Sequence, residues 1–250
     1  MKRTIAIAAL CAGIMLTTFP SQAKESGNVK INAKNFPDTI VREYVSEKID
    51  KNNDGYLSKK EISAVKTIII DKNNLYWENK EKLKEDYEII DCKGLEIFTN
   101  VEKVKLTTYC DTYVSEYGNI KNIKVLTKLT KIKNLEISGV NNSNYDFTKL
   151  NNLERLCIKS TKLKKLNLSK NVKLKNLKLA YNPLLKKINL TKNKNLEKIN
   201  LYGSGVKKIT LGKNNKIKNA NLNCTFISNY EKCNFNPKTL KTLKICNTQI

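Results

Sequence analysis

The chain contains no histidine. That single absence removes Ser-His-Asp and Cys-His nucleophilic chemistry and histidine-ligated zinc. Tryptophan occurs once, methionine twice and proline four times in 250 residues. No Cys-x-x-Cys pair is present, which argues against a thiolate metal site. After residue 23 no run approaches the roughly 18 apolar residues of a membrane span, so none is expected in the mature chain. Acids are scarce where cations are dense. Residues 148–250 carry 24 lysines or arginines against 3 acids, whereas residues 24–147 carry 21 against 20. Those acids, Glu154, Glu197 and Glu231, fall in no paired arrangement along the sequence. Asp86, Glu88 and Asp91 read as solvated charge. General acid–base work needs convergent groups, so the expectation is a protein that is not an enzyme.

What is present is a repeat. From Leu153 to Asn214 the frame L-x-x-L-x-L recurs, its first apolar residue at Leu153, Leu163, Leu174, Leu185, Leu196, Val206 and Ile217. The steps alternate in kind. LNLSKN, INLTKN and ITLGKN form one class; LCIKST, LKLAYN, INLYGS and ANLNCT form the other. The unit is therefore a pair of steps, with Ile132, Leu153, Leu174, Leu196, Ile217 and Leu240 as its starts. A unit of this length with that strand pattern fits a leucine-rich repeat, whose period is about 20–29 residues. The expected fold is a solenoid of short parallel strands in a right-handed coil, with leucines inward and the intervening residues outward. Beyond each strand stands a small polar residue: Thr161, Asn171, Asn182, Asn193, Ser204, Asn214, Thr225 and Thr248. They read as a ladder that hydrogen-bonds the turning backbone, because buried turn groups need partners.

Ahead of the repeats the organisation changes. Residues 1–23 have a basic start at Lys2 and Arg3, an apolar stretch from Ile5 to Leu16, and a small-residue site at Ser21-Gln22-Ala23. This is the pattern of a secretory signal. Six of the seven cysteines then remain, an even number that permits disulfides in an exported chain but equally suits small residues in a repeat. Residues 24–34 read as a loose lead-in. Asn35-Phe36-Pro37-Asp38 reads as a helix start with proline in its first turn. Val41, Val45 and Ile49 then form one apolar face.

That helix runs into the most specific motif of the chain, DKNNDGYLSKKE at 50–61. It matches the EF-hand loop. Asp50, Asn52 and Asp54 supply oxygens at the first, third and fifth positions. Gly55 takes the sharp turn, Tyr56 offers its carbonyl, Ser58 acts directly or through water, and Glu61 closes the site with both oxygens. Hard Ca²⁺ suits this all-oxygen set. A second hand is not evident, since Leu75 and Lys82 stand where Asp71-Lys72-Asn73 would need acids. The domain reading is a helix–loop–helix over 31–65, an irregular cap with two inserts over 66–131, and regular repeats over 132–250. The inserts, 71–90 and 107–125, read as a charged surface helix and an irregular tyrosine-rich segment.

The excess charge falls at fixed frame positions, among them Lys164-Lys165, Lys175, Lys186-Lys187, Lys198, Lys207-Lys208, Lys218 and Lys241. Stacking predicts lysine columns at a rung spacing of about 5 Å. Lys165, Lys178, Lys187, Lys198 and Lys208 are the candidates for a basic ligand-binding face. Two partner classes fit: a protein, or a polyanion such as an anionic glycan, a wall polymer or nucleic acid. Arg155 is the only arginine in the repeats, and lysine is a point charge without bidentate geometry, so no sequence-specific nucleic acid is expected.

Together, NFPD, the helix, DKNNDGYLSKKEI, GLEIFTN and the LNLSKN units resemble exported leucine-rich repeat proteins of gut and oral anaerobes. Those proteins often carry an EF-hand-like segment before the repeats. The resemblance covers 31–70 and 92–250. It implies Ca²⁺ at Asp50, Asn52, Asp54, Tyr56, Ser58 and Glu61, and a secreted or cell-surface binding role. The chain departs from it in its two long inserts and its lack of an attachment module.

Overall fold

The computed structural model describes residues 28–72, 89–108, 110–111 and 116–246. The signal segment, most of the charged insert with Trp77, Leu83 and Tyr87, and Thr248 of the expected ladder lie outside the described residues. Among the described residues eighteen strands follow one another: β1 Val29–Lys30, β2 Tyr56–Leu57, β3 Thr67–Asp71, β4 Ile89–Asp91, β5 Lys103–Thr107, β6 Cys110–Asp111, β7 Glu116–Tyr117, β8 Asn119–Lys121 and β9 Asn134–Val140. Then come β10 Asn144–Asp146, β11 Arg155–Thr161, β12 Lys165–Asn167, β13 Asn176–Lys178, β14 Lys187–Leu190, β15 Lys198–Asn200, β16 Lys208–Leu211, β17 Asn219–Asn221 and β18 Thr242–Lys244. Two helices, α1 Thr39–Lys48 and α2 Lys59–Ala64, flank β2.

Eight strands make one parallel sheet, in the order β18-β17-β15-β13-β11-β9-β5-β3. Each is the L-x-L of one repeat frame, and the registers bring the same frame position opposite itself: Leu135, Leu156, Leu177, Ile199, Ala220 and Leu243 stand in one row. The alternate step of each repeat forms a second, shorter stack across the coil, with β10 on β12 and β14 on β16. Both stacks turn their apolar residues into one core. Leu163, Leu174, Leu185, Leu196 and Val206 are at most 1% exposed. Burying a side chain of this size contributes roughly 1.5–3 kcal/mol. The pair of steps is thus one full turn of the coil, and the period near 21 follows from it.

The buried polar residues do bridge rungs, as the small-residue ladder predicts. Asn171 Nδ2 donates to Phe147 O (3.0 Å) and Leu150 O (2.9 Å). Asn193 Nδ2 donates to Leu168 O (3.0 Å) and Asn171 O (2.9 Å). On the side of the large sheet, Asn182 Nδ2 donates to Ile158 O (2.8 Å) and Ala180 O (3.1 Å). Three rungs differ from expectation: the Ser204 hydroxyl is buried without a hydrogen-bond partner among the described residues, Thr225 Oγ1 donates within its own turn to Leu222 O (2.7 Å), and the rung at Asn214 shifts by a residue. Asn214 is exposed and turns left-handed (φ 57°), and Asn215 takes the buried place, its amide donating to Asn234 O (2.9 Å). The step between Leu185 and Val206 is one residue short of the step between Leu163 and Leu185, and the turn at Asn214 restores the register.

Three further readings need correction. The lead-in is not loose: β1 pairs antiparallel with β2, Val29 opposite Leu57 and Lys30 opposite Tyr56. Helix α1 starts at Thr39, so Pro37 stands before the helix and not in its first turn, because Asp38 is the N-cap and accepts from Val41 N (2.9 Å). The second insert is not irregular throughout. β6 and β7 pair antiparallel, β8 pairs in parallel with β4, and a 3-10 helix follows at Ile123–Lys128.

Candidate metal loop and binding faces

Helix α1 closes the first end of the coil. Phe36, Val41, Val45 and Leu57 are fully buried in the same core as the repeats. Phe36 stacks on Phe98 at 6.4 Å. Gly94 (φ 95°) makes room for this, since a Cβ there would meet Asn35 O at 2.4 Å. The Tyr44 hydroxyl takes up the free edge of β3, donating to Thr67 O and accepting from Ile69 N, both at 3.3 Å. Covering an edge strand in this way satisfies groups that would otherwise template aggregation. Asp38 adds a buried tie, since its Oδ2 accepts from Lys72 Nζ (3.3 Å) and Asp91 N (2.9 Å).

The loop at 50–61 hangs from this cap. Asp50 is 2% exposed at the end of α1. Its Oδ2 accepts from Gly55 N (3.0 Å), while its Oδ1 is buried with no hydrogen-bond donor. Asp54 Oδ1 accepts from Tyr56 N (2.8 Å), and Asn52 Oδ1 accepts from Asp54 N (3.3 Å). Gly55 sits at φ 78°, a backbone region that costs any side chain strain. Glu61 is the third residue of α2 and folds back across the loop. Its Oε2 accepts from Ser58 N (2.9 Å) and Ser58 Oγ (2.7 Å), and its Oε1 from Lys51 N (2.7 Å). Partial burial works against the Glu61 charge, yet the donors of Ser58, Lys51 and Asn52 outweigh it and hold its pKa below the ordinary value.

Among the described residues no three Asp, Glu, Cys or His side chains converge as they stand. The loop set is not of that kind. It combines three carboxylates with an amide, a hydroxyl and a carbonyl, the mixed hard-oxygen donors that Ca²⁺ takes. An acceptor oxygen buried without a donor is costly unless something positive meets it. Asp50 Oδ1 is such an oxygen, so the residues fit a cation at this loop.

The basic-face candidates do not come together. Lys178 and Lys198 lie on the outer surface of the eight-stranded sheet, in β13 and β15, whereas Lys165, Lys187 and Lys208 lie on β12, β14 and β16 across the core. The lysine columns split likewise. One column of the large sheet alternates in sign, with Glu102 to Lys133 at 2.9 Å, Glu154 to Lys175 at 2.9 Å and Glu197 to Lys218 at 3.0 Å. The two acids that look unpaired along the sequence therefore each hold the lysine of the next rung. The spacing of 21 residues between Glu154 and Lys175, and between Glu197 and Lys218, was the available signal.

The same sheet forms a cleft of about 1070 Å³. Its floor alternates cations and amides: Lys103, Asn134, Arg155, Asn176, Lys198 and Asn219 along one row. Beyond β13 the half-exposed Tyr181 meets Tyr202 edge-on at 5.2 Å. Cys157 stands in the cleft, and burial raises its pKa. Cys92, Cys157, Cys224, Cys233 and Cys246 are free thiols.

No family model and no curated relative matches the chain. Solved structures do. The functional domain of InlJ from Listeria monocytogenes, which includes a cysteine ladder, superposes with a TM-score of 0.56 at 17% identity, covering 89% of this chain and 49% of that one. The fold is a leucine-rich repeat solenoid. Two Listeria monocytogenes internalins are also similar, with lower scores. An internalin, inlF, gives 0.41 at 16% identity over 89% of this chain and 79% of its own, and internalin C2 gives 0.34 at 16% over 74% and 97%. The chain spans about half the length of the InlJ domain. Among the described residues no helix is long and apolar enough to cross a membrane.

Proposed function

We propose that this is an exported, non-catalytic binding protein whose eight-stranded sheet engages a protein partner and whose amino-terminal cap is rigidified by Ca²⁺. The observation that carries the reading is the cleft of about 1070 Å³ on that sheet, floored by side chains held in register from rung to rung. Its composition suits protein recognition: one arginine, five asparagines, and cations balanced by acids on adjacent rungs. Absence of histidine supports the non-catalytic part. Asp50 Oδ1 and the inward fold of Glu61 support the metal part, with Asn52, Asp54, the Tyr56 carbonyl and Ser58 completing the donors. When bound, Ca²⁺ supplies a positive centre that ties the end of α1 to the start of α2.

The experiment is binding of the labelled chain to cell-surface extract, intact or protease-treated, at 100 and 500 mM salt (chosen to straddle the screening range). Binding that persists at high salt, disappears after protease and is lost in Arg155→Glu supports the reading. Binding that resists protease and collapses with salt would count against it and favour a polyanion as the principal ligand.

A further inference from the structure

We propose that the second strand stack, on the far side of the core from the cleft, is a separate binding site for a linear phosphodiester polymer. Segments 162–174, 183–195 and 205–217 make up this side of three successive turns, and they contain 13 lysines and no acid. Lys187 lies directly opposite Lys208 in the β14–β16 register, and β12 with Lys165 lies beside β14. A second set, Lys170, Lys192 and Lys213, follows in the turn after each strand, and all six side chains are exposed. None of the ion pairs among the described residues involves Lys165, Lys187 or Lys208.

Composition alone does not account for this arrangement. On the large sheet the same repeats alternate Glu102, Lys133, Glu154, Lys175, Glu197 and Lys218 along a column, with three ion pairs. Over these three turns the repeat thus accommodates acids on one side and carries none on the other, the exposed Asp146 of β10 lying one strand before them. Rungs about 5 Å apart lie within the Debye length of about 8 Å at 0.15 M salt, so the repulsion between these ammonium groups is not fully screened. A polyanion lying along the stack relieves it.

The chemistry of the three segments narrows the partner. They hold no aromatic residue, and the exposed Phe226 ring beside them lies under Lys186 Nζ (5.6 Å), so they offer no row of rings on which successive bases stack. They also lack the aromatic or arginine anchors of protein interfaces, whose cores are depleted in lysine. Only Val172 and Leu184 are exposed large apolar side chains there. What remains is a line of point charges, which suits evenly spaced phosphate esters on a flexible chain without bases.

The full chain is tested with poly(glycerol phosphate) as the probe, at 50 and 200 mM NaCl. The triple variant Lys165→Gln, Lys187→Gln, Lys208→Gln is compared with Lys178→Gln, Lys198→Gln, Lys244→Gln, which removes equal charge from the cleft side. The first triple is expected to weaken binding at least tenfold at low salt and to flatten the salt slope by about 2, at about 0.7 per lost contact. The second stays within about twofold of the parent. The first triple melts no lower than the parent, which separates lost binding from lost folding. Equal loss in both triples, or no binding by the parent, overturns the proposal. Tighter binding of heparin or of oligothymidylate at equal charge overturns the polymer class.

Discussion

At the residue scale the buried asparagines decide whether a turn of the coil closes. Each carries two amide protons, and Asn193 spends both on carbonyls of the preceding turn, Leu168 O and Asn171 O. Alanine at 193 would remove two buried hydrogen bonds, leaving Leu168 O and Asn171 O with only their backbone donors Asn171 N and Leu174 N, at a cost of roughly 1–3 kcal/mol. Leucine would fare no better, since the loss lies in the donors and not in volume. Asn214 is the natural control. It sits one residue from the ladder in sequence, but it is exposed, and Asn214→Ala should cost about 1 kcal/mol through its left-handed backbone alone. Urea melts of the two variants check this; similar losses in both would remove the ladder from the account. Counting from the frame alone selects Asn214, because the frame cannot see that the third outer step is short. The structure selects Asn215 by burial.

At the scale of elements the cap is the informative part. Helix α1 is held by a side chain that acts at both of its ends of reach: Asp38 caps Val41 N and also accepts from Lys72 and Asp91 N. The Asp38 and Lys72 side chains are 6% and 1% exposed, so the pair is shielded from solvent. Asp38→Ala should destabilise the protein by roughly 3 kcal/mol, the scale for breaking a buried pair. Asp38→Asn keeps a capping oxygen and should recover about 1 kcal/mol of that. Melting both variants at one pH is the check, and losses below about 0.5 kcal/mol in each would rule out the tie. None of this was legible in the sequence, because Asp38, Lys72 and Asp91 meet only through the fold. The strands were legible because each repeat buries the same positions, so the L-x-x-L-x-L frame that starts at Ile132 marks the members of the large sheet from Leu135 to Leu243. The sharp turn at Gly55 and the return of Glu61 across the loop were legible because the loop is local. The strand β1 was not, because a two-residue edge such as Val29–Lys30 has no periodicity and takes its place only by pairing with β2.

At the scale of the whole molecule the coil has two distinct outer surfaces and one distinct end. The large sheet presents mixed charge around a cleft, and the second stack from β12 to β16 presents lysines without acids. The five lysines chosen from frame positions fall on both, since a one-dimensional repeat does not say which step faces which way. The end is where the proposed Ca²⁺ site at 50–61 bears on stability. In a solenoid each turn contacts only its neighbours, so a perturbation at one end fades along the stack. The cap from Val29 to Glu61 touches the coil through β3 and β4 and through the buried cluster of Phe36, Val41, Val45 and Leu57. Removing Ca²⁺ with chelator, or weakening its site with Glu61→Gln, should therefore raise amide hydrogen exchange over 29–72, less over β5, and not at all from β11 onward. The parent with and without Ca²⁺ supplies the reference. Uniform acceleration along the chain would mean that the cap and the repeats unfold as one unit. No acceleration anywhere would mean that Asp50 Oδ1 is tolerated without a cation, and the metal would then have no structural role. A graded response confined to the first turns is the outcome that a local metal at the end of a nearest-neighbour stack requires.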